Sequence, residues 1–89
     1  MKIKFTASAG TENKEDLIVR IEPSETFEIS IESTVGKLFE KSIRESVTDE
    51  LKKLGIGSCK VMVRDFSALD YTVRSRAECA GRRALGETK

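Results

Sequence analysis

The chain has 89 residues, with 16 Lys+Arg against 15 Asp+Glu for a net charge of +1, and 38% of its residues are hydrophobic. That length supports one domain able to bury roughly 64% of its unfolded surface, and leaves little interior for an enclosed substrate cavity. A balanced charge gives no global pull toward nucleic acid or anionic lipid, and the absence of histidine excludes His-based triads and His metal sites.

Met1–Thr6 lacks the apolar run of a signal peptide. No stretch approaches the roughly 18 apolar residues of a membrane span, so a cytoplasmic protein is expected. Residues 1–16 read as an N-terminal strand followed by a small, polar, mobile loop. Leu17–Glu22 alternates with Leu17, Val19 and Ile21 on one face, Pro23–Thr26 reads as a turn, and Phe27–Glu32 alternates again. These two runs predict an antiparallel hairpin, with Arg20 paired across it to the glutamates of the second strand.

Ser33 and Thr34 offer hydroxyl N-caps for a helix whose apolar stripe is Val35, Leu38, Phe39, Ile43, Val47, Leu51 and Leu54, closed by Gly55. Cys59–Arg64 reads as a third strand and Asp65–Ala68 as a tight connection. Leu69–Arg74 reads as a fourth strand, with Leu69, Tyr71 and Val73 on one face. A short helix from about Arg76 to Leu85 follows, weakened by Gly81. Residues 86–89 read as a frayed end. The expectation is a single α+β domain over 1–89, in the order ββαββα: an antiparallel sheet with one long and one short helix packed on one face.

The charges are unevenly spread. Residues 23–34 carry Glu25, Glu28 and Glu32 and no base, while the half after Gly55 is basic, a pattern that can steer docking between subunits. Asp65 and Asp70, joined by Asp16, are carboxylates without an activated partner, and Cys59 and Cys79 fit no CxxC spacing. Two reduced structural thiols are expected, with a single bridge between them left open. An arginine beside Cys79 would depress its pKa, but no histidine stands ready to activate it as a nucleophile. No catalytic residue, metal site or phosphate-cradling glycine loop is assigned. A different class of function, a small RNA-binding module, would use Arg64, Arg74 and Arg76 around Phe66 and Tyr71.

Several motifs occur in a characteristic order: Ala9-Gly10-Thr11 with an acidic loop to Asp16, Val19-Arg20-Ile21, Ser33-Thr34-Val35, Phe39, Ile43-Arg44, Ala68-Leu69-Asp70 and Arg74-Ser75-Arg76-Ala77-Glu78. Together they resemble the acyl carrier protein (gamma subunit) of bacterial citrate lyase, nearly end to end. The resemblance implies a non-catalytic carrier subunit of an enzyme complex. It would present a thioester on a 2'-(5''-phosphoribosyl)-3'-dephospho-CoA arm, of phosphopantetheine type, to an alpha subunit (acyl transferase) and a beta subunit (lyase). A tethered thioester is thereby kept at high effective concentration near two active sites.

In that family the arm joins a serine hydroxyl in the pattern Gly-Thr, two residues, Ser, one residue, Asp. Here Gly10, Thr11 and Asp16 keep the spacing, but Lys14 stands at the serine position, and an ammonium cannot form the phosphodiester. Ser8 and Thr11 are the fallback hydroxyls. Three accounts stay open: a carrier-like paralogue that is never modified, a carrier using Ser8 or Thr11, and a related lyase or decarboxylase subunit or variant lacking the serine. A second departure puts Ser67 where the family has glycine before Ala68-Leu69-Asp70. A positive φ there would strain a serine by about 1 kcal/mol.

Overall fold

The computed structural model describes residues 3–34 and 36–87. The elements are β1 (Ala7–Gly10), β2 (Leu17–Glu22), β3 (Phe27–Ser33), α1 (Lys37–Lys53), β4 (Cys59–Asp65) and α2 (Asp70–Ala84). The α+β class and the two helices are as the patterning predicts, but the order is βββαβα and the sheet is mixed. Its strand order is β1-β2-β4-β3, with β4 antiparallel to β2 and parallel to β3.

The expected β2–β3 hairpin does not form, because β4 lies between those strands. Pro23–Thr26 therefore bridges two strand spacings, about 10 Å, which a nearly extended four-residue segment can span. β4 takes the centre because it is apolar at every second position: Cys59, Val61 and Val63 are buried, in register with Phe27, Ile29 and Ile31 of β3. On the uncovered face Lys60 sits between Glu22 and Glu28. Arg20 pairs with Glu22 on its own strand at 3.0 Å, not with a glutamate of β3.

Leu69–Arg74 is not a strand; α2 begins at Asp70. Leu69, Tyr71 and Val73 alternate, but Val73, Ala77, Ala80 and Ala84 recur at intervals of three and four, and the longer period prevails. These four are buried, while Leu69 and Tyr71 are 58% and 71% exposed. α2 lies on β1, β2 and α1. Gly81 is the close contact between the helices, since a Cβ there would stand 2.6 Å from Leu54 Cδ1.

Along α1 the core side chains are Ile43, Val47 and Leu51, while Phe39 is half exposed. Val35 and the Leu38 side chain, also in the predicted stripe, lie outside the described residues. The N-cap of α1 is Gly36, with no side-chain cap, so Ser33 and Thr34 do not cap it. β3 runs through Ser33, whose hydroxyl donates to Asp65 at 2.8 Å, and the Thr34 N–H donates to the Asp65 carbonyl. Gly55, with φ +78, ends the helix as predicted: its N–H reaches Lys52 O and that of Ile56 reaches Leu51 O. Gly86 and Glu87 close α2 in the same way, through Arg83 O and Arg82 O. Residues 88–89 of the predicted frayed end are outside the described residues. Both cysteines are free thiols, and burial pushes the Cys59 thiol up to about 11.

Candidate functional site: the loop from Gly10 to Asp16

This loop joins antiparallel neighbours β1 and β2 at one end of the sheet. Gly10 opens it with φ +111, and a Cβ there would fall 1.8 Å from the Leu17 carbonyl oxygen, so only glycine fits. Asn13 to Asp16 then form a tight turn: the Asp16 N–H donates to Asn13 O at 3.1 Å, and Glu15 adopts φ +67.

Asp16 organises the loop. Its carboxylate accepts two bonds from the Arg76 guanidinium, at 2.8 and 3.0 Å, one from the Thr11 hydroxyl at 2.7 Å and one from the Leu17 N–H at 2.7 Å. The Arg76 bonds, helped by Thr11 and Leu17, outweigh the opposing effect of burial and hold its pKa at about 2. Its backbone is fixed as well, because Phe66 donates to Asp16 O at 2.9 Å and accepts from the Glu15 N–H at 2.7 Å.

The predicted site residues therefore separate. Lys14 stands exposed at the turn, and among the described residues it makes no ion pair. The Thr11 hydroxyl is committed, donating to Asp16 and accepting the Asn13 N–H. Ser8 lies on β1, opposite Arg20 on the uncovered face; it is exposed, and its hydroxyl makes no hydrogen bond among the described residues. A group that joins a hydroxyl in this loop does not fit the residues present: residue 14 offers an amine, and the Thr11 oxygen already serves the turn.

The carboxylates set aside as catalytic candidates have structural partners. Asp65 is buried and accepts from the Ser33 hydroxyl and, at 2.9 Å, from the Ala68 N–H. Asp70 is bonded by Ser46 and by Arg74, which keep it below the usual carboxylate range. The arginines of the RNA reading are likewise engaged. Arg74 joins the two helices through Glu50 (3.0 Å) and Asp49 (3.6 Å) of α1 and also pairs with Asp70 (2.9 Å) on its own helix, Arg76 serves Asp16, and Arg64 reaches Glu12 at 2.8 Å and Glu32 at 3.8 Å. Arg64 also lies 5.5 Å from the Phe66 ring centroid. Cations neutralised in this way offer little to a phosphate backbone. Ser67 does take the strained conformation, with φ +73.

The Asp16–Arg76 pair is a contact at this loop that the sequence pattern does not reveal. Once 70–84 is read as a helix, Arg76 falls beside the buried stripe, next to Ala77 and four residues before Ala80. That flank faces the β1–β2 layer. Beside the loop end, Phe39, Ile43, Ala68, Leu69 and Val73 line an open groove of about 340 Å³.

A similar fold is found in a chain of a Pseudomonas malonate decarboxylase hetero-tetramer solved with malonate. The TM-score is 0.76 at 21% identity, over 94% of this chain and 88% of that one. That similarity gives the class of fold. A family model for acyl carrier proteins, described as malonate decarboxylase delta subunit (MdcD), matches residues 4–84. Citrate lyase acyl carrier proteins are similar over almost the whole length: that of Haemophilus influenzae is 41% identical over 99% of this chain and 93% of its own. The one from Treponema denticola is 38% identical over 94% and 97%. The chain belongs to this acyl carrier protein family of the citrate lyase and malonate decarboxylase type.

Proposed function

We propose that the chain takes the carrier's place in a citrate-lyase-type complex in the cytoplasm, beside an alpha acyl-transferase subunit and a beta lyase subunit. In this reading it carries no arm at residue 14. The observation that supports it is the combination of an intact loop frame, Gly10, Thr11 and Asp16, with an amine at its exposed turn. The chain makes no bond itself; its contribution is to hold its place in the assembly and present the loop end to the larger subunits.

Ser8 supports a second reading, because it is exposed and its hydroxyl has no hydrogen bond among the described residues. In that reading the 2'-(5''-phosphoribosyl)-3'-dephospho-CoA arm is joined at β1, and the thioester is presented from the strand next to the loop. Purification from the native host, with intact-mass measurement and peptide mapping of residues 1–20, tests both. The expected result is an unmodified chain that co-purifies with two larger lyase-type subunits. A nucleotide-sized adduct on Ser8 selects the second reading, and recovery with neither subunit overturns both.

A further inference from the structure

A small polar turn between two strands is ordinarily free to move, since no apolar side chain anchors it. Here the backbone N–H groups of Asn13, Glu15, Asp16 and Leu17 all have acceptors. The acceptors and donors that hold the turn come from three places: its own start at Thr11, the connection after β4 at Phe66, and the middle of α2 at Arg76. We infer that Asp16 and Arg76 are positioning residues that hold the turn at Lys14 as a fixed pedestal on α2. A group presented there then moves with the whole domain and does not swing on a loop.

The geometry carries this beyond ordinary loop packing. The Arg76 fork meets both carboxylate oxygens, which sets the orientation of the Asp16 side chain as well as its distance. Asp16 is 9% exposed, and among the described residues Arg76 is the one cation that its carboxylate meets. The same residue's main chain is paired with Phe66, so side chain and backbone are fixed independently. A partner that reads this turn meets a preorganised surface and avoids the cost of ordering it. What the pedestal presents rests on the carrier reading above; its rigidity does not, and the two can fail separately.

Backbone ¹⁵N order parameters of the full chain test it. In the wild type Asn13, Lys14 and Glu15 are expected near about 0.85, the level of rigid strands. In Arg76→Met they should fall below about 0.6 while the β2 and β4 amides keep their values. Arg76→Lys retains the charge without the fork and should recover part of the loss. A wild-type turn already below about 0.6, or a folded Arg76→Met with the turn still near about 0.85, overturns the inference. Should the variants fail to fold, amide exchange in the wild type decides. Protection of the Glu15 and Phe66 N–H groups at the level of the strands supports the pedestal, and exchange at exposed-loop rates removes it.

Discussion

Between the helices and the sheet, Leu17, Val19, Ile21, Val47, Leu51, Val61 and Val73 form an apolar cluster sealed from solvent. At the loop end Asp16 and Asp65 are almost as deeply covered, at 9% and 2% exposure, yet both are charge-bearing groups held by directed hydrogen bonds. Apolar burial is non-directional and tolerates repacking, so it decides which elements come together. A bidentate ion pair fixes orientation, so it decides where one particular turn points. The core therefore makes the domain, and the carboxylates aim its candidate site.

The largest expected effect tests the first half of that contrast. Leu51→Ala removes a fully buried side chain from the α1–α2 contact and should cost about 2–5 kcal/mol in urea denaturation, with no specific effect on the turn. Arg76→Met tests the second half. It leaves Asp16 covered with two of its partners, and Arg76 is itself more than a third exposed, so the discounted cost is about 1–3 kcal/mol. A loss as large as that of Leu51→Ala would mean that the pair builds the domain instead of aiming its loop.

Acid sharpens the same contrast. The folded Asp16 carboxyl is held at about 2 against an ordinary 3.8, so the unfolded chain binds more protons between those values and stability rises with pH there. The contribution, about 2 kcal/mol, is complete above about pH 5 and is lost as pH falls toward about 2. Asp70 and Glu50 are also lowered and add slope of the same sign. For Asp70 the causes are Ser46 and Arg74; for Glu50, Arg74 and Lys53 outweigh burial. Asp16→Asn should therefore flatten the acid limb of the stability curve without abolishing it. An unchanged limb would show that Asp16 is not held as its geometry implies.

The division between core and loop end also explains what could be read from the residues alone. Periodicity reports local burial, so α1, β2, β3 and β4 were visible as alternating or three-and-four patterns. Strand partnership is a long-range property: nothing within Leu17–Glu32 reveals that β4 will insert between its two strands. The helix over Arg76–Leu85 is legible, but its start at Asp70 is not, because its buried face is mostly Ala77, Ala80, Gly81 and Ala84, whose apolar signal is weaker than that of Leu69 and Tyr71 on the exposed side. With Arg76 placed at the helix start and not in its middle, its flank has no direction, and its pairing with Asp16 sixty residues away is not legible. The loop motif itself was legible, including the amine at residue 14.

That amine gives the smallest expected effect on stability and the most direct test of the loop frame. Lys14 is exposed and unpaired among the described residues, so Lys14→Ser should change unfolding free energy by no more than about 0.5 kcal/mol. Its consequence should appear as mass instead. Incubated with a citrate-lyase prosthetic-group transferase and its nucleotide donor, Lys14→Ser is expected to gain the arm while the wild type does not. Such a gain would mean that the fixed turn still has the shape the transferase reads and that only the oxygen is missing. A stable Lys14→Ser chain that stays unmodified would mean that the Asp16-centred turn, with Glu15 at positive φ, is aimed for a different partner.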